Sequence, residues 1–436
     1  MTAASPQEIA GPARPERRSR FATFRALNYR DYRLLWGGQL LHSASQWMEQ
    51  VIRPVLVYEL TQSATAVAWV VFMRMIPVLL FGVLAGAAAD RFDKKRILLF
   101  TQSTTMAMHL TLAVLVLSGT VQLWQIYVSA MVAGAALAFN QPARQTMIPR
   151  LVPPDVLLNA VALNTTAMNF MRIGGGAIAG LLLIKFSIGG VYLLNGIIYL
   201  GVIITTQMIR LPKEVPRIHK RSLAGDLSEG FAYVKTNRAV GGLVLLALIL
   251  YVFGMPYQQV FVPLVAFQVF DLDRAWVGWM LSFTGLGAIT GSLFVASRTE
   301  YRRPGLALAI NLVVFGSALL VVGLSRWLPL TLIALAVAGS MTVSFMALTN
   351  TLLLSATPPE LQGRVLSLLS LDRGIIPAGA LLAGLLAESL GVGAGIVVMA
   401  LILLSLSAVA IVFLIPRLNG IQVHAGARRT RVRHAG

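Results

Sequence analysis

Five polar or ionisable residues recur at intervals of three and four within one apolar segment, 33–58. They are Gln39, His42, Gln46, Glu49 and Arg53. Because residues three and four apart share one face of an α-helix, all five would form a single stripe. An ionised side chain at the centre of a bilayer costs at least about 2.5–3.5 kcal/mol, so the stripe must face water or polar partners. The spacing therefore predicts a polar cavity in which an acid such as Glu49 binds and releases a proton.

A purely structural network is the alternative for the same stripe, since Glu49 and Arg53 are four residues apart and can neutralise each other. The other charged residues well inside apolar segments are Arg74, Arg172, Asp372 and Arg373. Arg172 shares a helical face with Asn169. We expect these residues to line the substrate cavity or proton pathway, with Glu49 or Asp372 as the proton carrier. Ion pairs that hold the helices together remain the other interpretation of each.

The elements that must position these residues are membrane helices. Of the 436 residues, 57% are hydrophobic and 12% are charged, whereas soluble domains carry about 25% charged residues. The absence of cysteine excludes disulfides, thiolate metal sites and cysteine nucleophiles. The sequence predicts about twelve segments of membrane-spanning length, at 33–58, 65–89, 97–118, 122–142, 156–184, 190–209, 239–269, 275–297, 305–325, 329–354, 365–388 and 391–415. The expected fold class is therefore an all-α membrane protein with twelve transmembrane helices.

Basic residues separate onto one side of these segments. If the chain alternates between sides, most of the 36 lysines and arginines share the side of the two termini, and Lys185, Arg274 and Arg326 lie on the other. An excess of lysine and arginine marks the cytoplasmic side, so both termini are expected in the cytoplasm. The net charge of +19 is thus a topology signal and not a nucleic-acid-binding face.

A repeat divides the chain into two six-helix bundles. Gly82 and Gly86 recur about 205 residues later as Gly287 and Gly291, and Pro153-Pro154-Asp155 recurs as Pro358-Pro359-Glu360. Such repeats are typical of transporters whose site lies at mid-membrane between the halves. The predicted parts are a cytoplasmic tail (1–32), an N-terminal bundle (33–209), a cytoplasmic linker with an amphipathic helix (210–238), a C-terminal bundle (239–416) and a basic cytoplasmic tail (417–436).

A motif between the second and third segments carries a family resemblance. Gly86-Ala-Ala-Ala-Asp90-Arg91-Phe92-Asp93-Lys94-Lys95-Arg96 resembles the signature G-x-x-x-D-R/K-x-G-R/K-R/K of the major facilitator superfamily. Gly86, Asp90, Arg91, Lys94 and Lys95 match it, while Asp93 replaces its second glycine. The resemblance implies a cytoplasmic latch, in which Gly86 lets another helix approach. Asp90 would either accept a hydrogen bond from an arginine or lie at the N-terminus of a facing helix. Arg144 is also expected to be part of the latch.

Further stretches are similar to the drug-efflux and enterobactin-exporter-like branch of that superfamily. They are Phe24-Arg25 through Trp36, Leu56 through Thr61, and Asn140 through Gln145 running on to Asn164. The resemblance extends from Phe24 to about Pro416. It implies alternating access and proton-coupled efflux of amphipathic small molecules, drugs or siderophore-like compounds, across the plasma or inner cell membrane. Gly176 stands where an antiporter-like pattern would have proline.

The sequence favours a transporter over an enzyme. There is no G-x-x-x-x-G-K-S/T nucleotide loop, no hydrolase motif, and the five histidines are too scattered for a metal site. We therefore expect no cofactor and no metal. The expected partners are a small-molecule substrate, the proton and the lipid bilayer, without nucleic acid, and the chain is expected to be a monomer. Uptake or facilitated exchange of a metabolite, and a non-transporting receptor or scaffold, stay open as alternatives.

Overall fold

The computed structural model describes residues 22–211, 231–297, 303–358, 361–362, 365 and 375–418, and the regular structure of these residues is helical. The main helices are α1 (Arg30–Thr61), α2 (Ala64–Arg91), α3 (Lys94–Leu117), α4 (Leu123–Leu151), α5 (Leu157–Lys185), α6 (Ile188–Met208), α7 (Arg238–Val269), α8 (Ala275–Ala296), α9 (Pro304–Leu324), α10 (Leu328–Ala356), α11 (Ile376–Leu390) and α12 (Val392–Leu418). Most successive helices are joined by only a few residues, so neighbours in sequence run antiparallel across the bundle.

Ten helices among the described residues are long and apolar enough to cross a membrane. They are α2 to α10 and α12. The helix α1 is longer than most of these but carries the polar stripe, and α11 is described only from Ile376 onward. The all-helical membrane fold is therefore confirmed, while the exact number of twelve spans and the side of the termini stay predictions.

Side-chain caps fix where several helices begin. Ser63 caps α2, Ser187 caps α6 and Asn237 caps α7, each accepting a hydrogen bond from a backbone amide of the first turn. Asp93 does the same for α3, accepting from the amide of Arg96 at 3.1 Å. Such caps satisfy amides that have no partner within the helix. Asp93, which replaces the second glycine of the family signature, therefore stabilises the first turn of α3.

The helix α7 is irregular along much of its length. Residues 250–254, 257–261 and 265–269 form wide π turns, and Pro256 and Pro263 lie among them. Proline removes one backbone donor and its ring blocks the hydrogen bond to the residue four positions earlier, so a local change of helical pitch is a common response. The sequence suggests an interruption at these two prolines, and the structure has one.

The helices pack in the same pairs in the first six and in the last six helices. The helices α1 and α5, α2 and α4, and α3 and α6 pack in pairs, and so do α7 and α11, α8 and α10, and α9 and α12. We call α1–α6 the N-terminal half and α7–α12 the C-terminal half. Between the halves, α2 packs on α11 and α5 packs on α8, and a shift of six helices exchanges these two contacts. This pseudo-symmetry is that of a parallel repeat.

The glycines aligned by the repeat lie in unequal surroundings. A Cβ atom on Gly287 would collide with the backbone of α10, whereas one on Gly82 or Gly86 would meet no described atom within 4 Å. Among the described residues, no helix makes the expected close approach at Gly86. Gly134 and Gly339, which are also about 205 residues apart, do match, because each packs directly on the backbone of the facing helix, α2 or α8.

The end of the linker is attached to the C-terminal half. The hydroxyl of Tyr233 donates to the carbonyl oxygen of Ala356 at 3.1 Å, and the amide nitrogen of Asn237 donates to the same hydroxyl at 3.0 Å. The greater part of the expected amphipathic helix, residues 212–230, lies outside the described residues, as do most of both tails.

Candidate functional site

The two halves are joined by polar contacts at one side of the bundle. We call the side on which α1 begins the terminal side and the side on which α1 ends the opposite side. At the opposite side, Glu388 of α11 accepts hydrogen bonds from the amides of Ala64 at 2.7 Å and Thr65 at 3.2 Å. Tyr58 and Phe267 stack there with ring centroids 4.9 Å apart. Between described residues, no hydrogen bond or ion pair joins the halves at the terminal side.

One face of α5 runs along the boundary between the halves. Thr165 and Asn169 on this face are exposed, Arg172 is partly exposed, and Gly176 and Gly180 are buried. The last two pack on the backbone of α8, where a Cβ atom on Gly180 would lie 2.7 Å from the carbonyl oxygen of Ala275. The face therefore changes from open to closed at Arg172, which marks the apex of a crevice that opens to the terminal side.

The boundary face of α2 shows the same change. Near the opposite side, Ala68 packs on Gly384 of α11. Gly82 and Gly86 lie on the same helical face, further toward the terminal side, and no described atom lies within 4 Å of a Cβ atom built on either. Among the described residues, the two pseudo-symmetric boundaries between the halves are thus both in contact at the opposite side, and both lack such contacts at the terminal side.

Arg172 at the apex is a cation without an acidic partner among the described residues. Its guanidinium lies over the ring of Trp47 of α1, 5.6 Å from the ring centroid, which is within the range of a cation–π interaction. Its Nε atom is buried without a hydrogen-bond partner. The next residue, Ile173, accepts a hydrogen bond from the Ser282 hydroxyl of α8 at 3.2 Å, so the apex lies where the halves touch.

A buried charged cluster lies in the N-terminal half. Glu49 forms an ion pair with Arg53 on the same helix, and its second oxygen lies 3.6 Å from Nη2 of Arg74 on α2. All three side chains are at most 9% exposed. The pairing of Glu49 with Arg53 is confirmed. The third member, Arg74, is brought in by the packing of α2 beside α1, which spacing along the chain does not reveal.

The remaining residues of the α1 stripe face the interior of the N-terminal half. Gln39 donates to the hydroxyl of Ser43 at 2.7 Å, and the Tyr199 hydroxyl lies 3.0 Å from Nδ1 of His42. A cavity of about 20 Å³ touches His42, Gln46, Glu49, Arg74, Thr105, Ala133, Ala136, Leu137, Asn140 and Tyr199. A space of this size holds about one water molecule. In this conformation the stripe therefore borders water-sized space, and its place in a substrate cavity stays a prediction.

A second cavity of about 20 Å³ lies on the other side of Glu49. It is bordered by Arg53 and Arg74 and also by Gln259 of the C-terminal half. The carboxylate of Glu49 therefore lies between a small polar space inside its own half and another at the boundary with the other half.

Two further polar stripes complete the cluster, and sequence reasoning missed them. The His109 ring of α3 lies 5.9 Å from the ring of Tyr192 and 5.4 Å from that of Tyr199 on α6, between centroids. Both nitrogens of His109 and the hydroxyl of Tyr192 are buried without a hydrogen-bond partner. Gln102, Thr105 and His109 are spaced by three and four, as are Tyr192, Asn195 and Tyr199, so the rule that identified the α1 stripe would have found them.

The residues of the expected latch are partly described. Lys95 donates from Nζ to the carbonyl oxygens of Gln207 at 2.7 Å and Ile209 at 2.8 Å, which caps the end of α6. Lys94 is buried, and Arg144 is buried with Nε 3.5 Å from Oδ1 of Asn140. The side chains of Asp90 and Arg91, and residues 371–374 with Asp372 and Arg373, lie outside what the structure describes.

Comparison with known families identifies the chain. A family model described as transmembrane secretion effector matches residues 19–431. The chain belongs to this family of the major facilitator superfamily. The chain resembles macrolide efflux protein A of Streptococcus pyogenes, with 23% identity over 372 residues covering 82% of this chain and 89% of the relative. It is 26% identical to the staphyloferrin A transporter of Staphylococcus aureus (79% and 87% covered) and 25% identical to an enterobactin exporter of Shigella dysenteriae (77% and 79%). It is a membrane transporter and not an enzyme.

Solved structures show the same fold. A peptide transporter of the POT type in complex with sulfate superposes on this chain with a TM-score of 0.73 at 12% identity, covering 90% of this chain and 95% of that one. An inward-facing, unoccupied bacterial homologue of the human lysosomal transporter Spinster gives a TM-score of 0.66 at 12% identity, covering 92% and 99%. At this level of identity the likeness concerns the fold alone.

Proposed function

We propose that this protein exports amphipathic small molecules from the cytoplasm by alternating access, in exchange for protons. The observation that carries the proposal is the crevice, which is open at the terminal side and closed at the opposite side by contacts at both boundaries, α2 with α11 and α5 with α8. Movement of one half against the other about Arg172 would open the opposite side. The relatives named for macrolide efflux and enterobactin export support the outward direction.

The distribution of charge supports a cytoplasmic terminal side. Arg25, Arg30, Lys95 and Arg96 lie at that side, as do the ends of the helices that precede the basic loops. Excess basic charge marks the cytoplasmic face, so the described conformation is the one that loads from the cytoplasm. On this view residues 33–209 and 239–416 are the two moving bodies, in the plasma or inner cell membrane, and the chain acts as a monomer.

Glu49 is the proposed proton carrier among the described residues. It is a buried carboxylate between two small cavities, one of which is bordered by Gln259 of the C-terminal half. When that half moves, the second cavity changes and so does access of water to the carboxylate. Protonation of Glu49 would leave Arg53 and Arg74 as buried cations without a counter-charge, which is costly in the described arrangement. Proton uptake would therefore accompany a conformational change that rearranges this cluster. Asp372 is the other candidate carrier.

We also propose that closure at the terminal side uses the latch motif. Gly82 and Gly86 have open space before them and face the boundary with α11, so closure would bring another helix against both. Asp90, Arg91, Lys94, Lys95 and Arg144 would stabilise that closed state through charged hydrogen bonds.

Export is tested in inside-out membrane vesicles that contain the full chain, energised by an inward-acidic proton gradient. The probes are a labelled macrolide, staphyloferrin A and enterobactin, because the relatives are named after the transport of these compounds. We expect at least one to accumulate and an uncoupler to abolish the accumulation. The Glu49→Gln variant should lose the pH dependence, and Asp271→Asn, which changes an acid at an exposed position on the opposite side, serves as the control. Absence of accumulation for all three compounds would contradict export of these classes.

A further inference from the structure

Among the described residues, the middle of the bundle carries an excess of positive charge. Among the described residues there, Glu49 is the acid, and Arg53, Arg74 and Arg172 are the cations. Arg53 and Arg74 share the carboxylate of Glu49, while Arg172 has no carboxylate within ion-pair distance among the described residues. Arg172 is only partly exposed, and a charge that is largely removed from water is normally paired, because its desolvation is costly. The unpaired guanidinium therefore needs an explanation.

The surroundings of Arg172 fit a ligand with both an anionic and an apolar part. One face of the guanidinium is occupied by Trp47, and Tyr257 of α7 is the other ionisable side chain within electrostatic range. A phenol is ordinarily neutral, so neither neighbour balances the charge. The planar guanidinium presents donors that match the two oxygens of a carboxylate. The indole beside it offers a flat apolar surface for the rest of the molecule.

The place of Arg172 in the crevice fits a cargo site and not a fixed ion pair. It is partly exposed, with the exposed Asn169 on the terminal side of it and the closed contact of Gly176 and Gly180 with α8 on the other. A group at the apex is reachable from the terminal side in this conformation. If the closed contact beyond it separates, the same group becomes reachable from the opposite side.

We propose that Arg172 binds the anionic group of the transported molecule, so that the cargo is an organic anion that joins a carboxylate or similar oxyanion to an aromatic or apolar part lying against Trp47. This inference rests on the proposed transport function and specifies the substrate class of the same crevice. It also assigns Trp47 as the residue that selects for the apolar part.

The test uses three dansyl compounds that share one fluorophore. Dansylglycine is anionic, dansylglycinamide is its neutral counterpart, and N-dansylethylenediamine is cationic. Binding to the purified full chain in nanodiscs is followed by the increase in dansyl fluorescence. A charged hydrogen-bonded pair is worth about tenfold or more in affinity, so the wild type should bind dansylglycine about tenfold more tightly than the amide. The cationic compound should bind most weakly.

Variants assign the preference to Arg172. Arg172→Gln should reduce the preference for dansylglycine to about twofold or less and leave binding of the amide unchanged, since only the charge is lost. Arg172→Lys should retain part of the preference. Lys185→Gln removes one positive charge from the exposed end of the same helix and should leave the preference intact. Trp47→Ala should weaken the acid and the amide alike.

Several results would overturn the proposal. They are a wild type that binds the acid no better than the amide, an Arg172→Gln protein that keeps the preference, and an Arg172→Gln protein that weakens both compounds equally, which is the signature of a structural role. Acetate that displaces dansylglycine as well as naphthylacetate does would also contradict an amphipathic cargo. The proposed export is judged separately: charge-selective binding without proton-driven accumulation in vesicles would refute export and leave the substrate class standing.

Discussion

The carboxylate of Glu388 accepts a hydrogen bond from the backbone amide of Ala64 at 2.7 Å, and this contact joins the C-terminal half to the first turn of α2 in the N-terminal half. The same oxygen accepts from the hydroxyl of Ser63 at 3.1 Å and the amide of Thr65 at 3.2 Å. Amides at a helix N-terminus have no partner within the helix and carry partial positive charge, so they are favourable partners for an anion. Glu388 is therefore a clamp on the opposite side.

Removal of this clamp should shift the equilibrium toward opening at the opposite side. Glu388→Gln keeps an acceptor oxygen but loses the charge, and Glu388→Ala loses both, so the second change should have the larger effect. Charged hydrogen bonds are worth about 1.5–3 kcal/mol, enough to change the ratio of the two states about tenfold or more. Because the natural chain has no cysteine, a single Ala68→Cys substitution reports opening through its rate of labelling by an impermeant maleimide.

A neighbouring acid provides the comparison for that experiment. Asp271→Asn removes a carboxylate from an exposed position on the same side and should leave the labelling rate of Ala68→Cys unchanged. Labelling that is equally slow in the wild type and in Glu388→Ala would show that the clamp does not hold the halves together.

A second contact at the opposite side should matter less. Nε of Arg274 donates to the carbonyl oxygen of Leu183 at 3.4 Å, and Nη1 lies 3.7 Å from Oε1 of Glu59. Both partners of the ion pair are at least one-third exposed, and exposed pairs contribute about 0–1 kcal/mol. Arg274→Gln should therefore raise the labelling rate of Ala68→Cys by fivefold or less on this scale. An effect larger than that of Glu388→Ala would reverse the assigned order.

Closure at the terminal side should depend on small residues at the boundary face of α2. Gly86→Leu adds a side chain where no described atom lies within 4 Å of a Cβ atom, so folding and binding of a fluorescent ligand from the terminal side should be retained. The added volume would prevent α11 from approaching, and accumulation in inside-out vesicles should fall about tenfold or more. Leu84→Ala, a change at an exposed position on the other face of the same helix, is the control. Normal transport by Gly86→Leu would exclude close packing at this position.

The charged cluster predicts unequal effects of its members on stability. Glu49→Gln leaves Arg53 and Arg74 buried without their counter-charge and should destabilise the protein by about 3–5 kcal/mol, the usual cost of breaking a buried pair. Arg74→Met should cost less, because Glu49 keeps its partner Arg53. Thermal unfolding of the purified proteins in one detergent measures the order. It would be contradicted if Arg74→Met were the less stable variant.

The lengths of the apolar segments and the helical spacing of the polar residues predict part of this structure. They predict the helical segments and the Glu49–Arg53 pair, because both depend on residues close in the chain. The approach of Arg74 depends on how α2 packs beside α1, and the meeting of His109 with Tyr199 depends on how α3 packs on α6. Contacts between helices cannot be predicted from spacing along one helix, because they depend on how the helices pack in three dimensions.

The repeated glycines show a second limit to what can be predicted from the sequence. Gly86 and Gly291 match in sequence, yet a Cβ atom on Gly291 would collide with α10 while one on Gly86 meets open space. If the halves move as proposed, a residue on the boundary between them has a different environment in each conformation. The residue type at such a position must suit both environments, whereas a single conformation shows only one of them.

Distances across the two ends of the crevice test alternating access most directly. Spin labels at Thr165 and Leu293 span the terminal end of the α5–α8 boundary, and labels at Lys185 and Asp273 span its opposite end. All four positions are exposed. Double electron–electron resonance on the full chain in nanodiscs, with and without acidification and ligand, should show the first distance shortening as the second lengthens. Two distances that stay fixed, or that change in the same direction under every condition, would contradict alternating access.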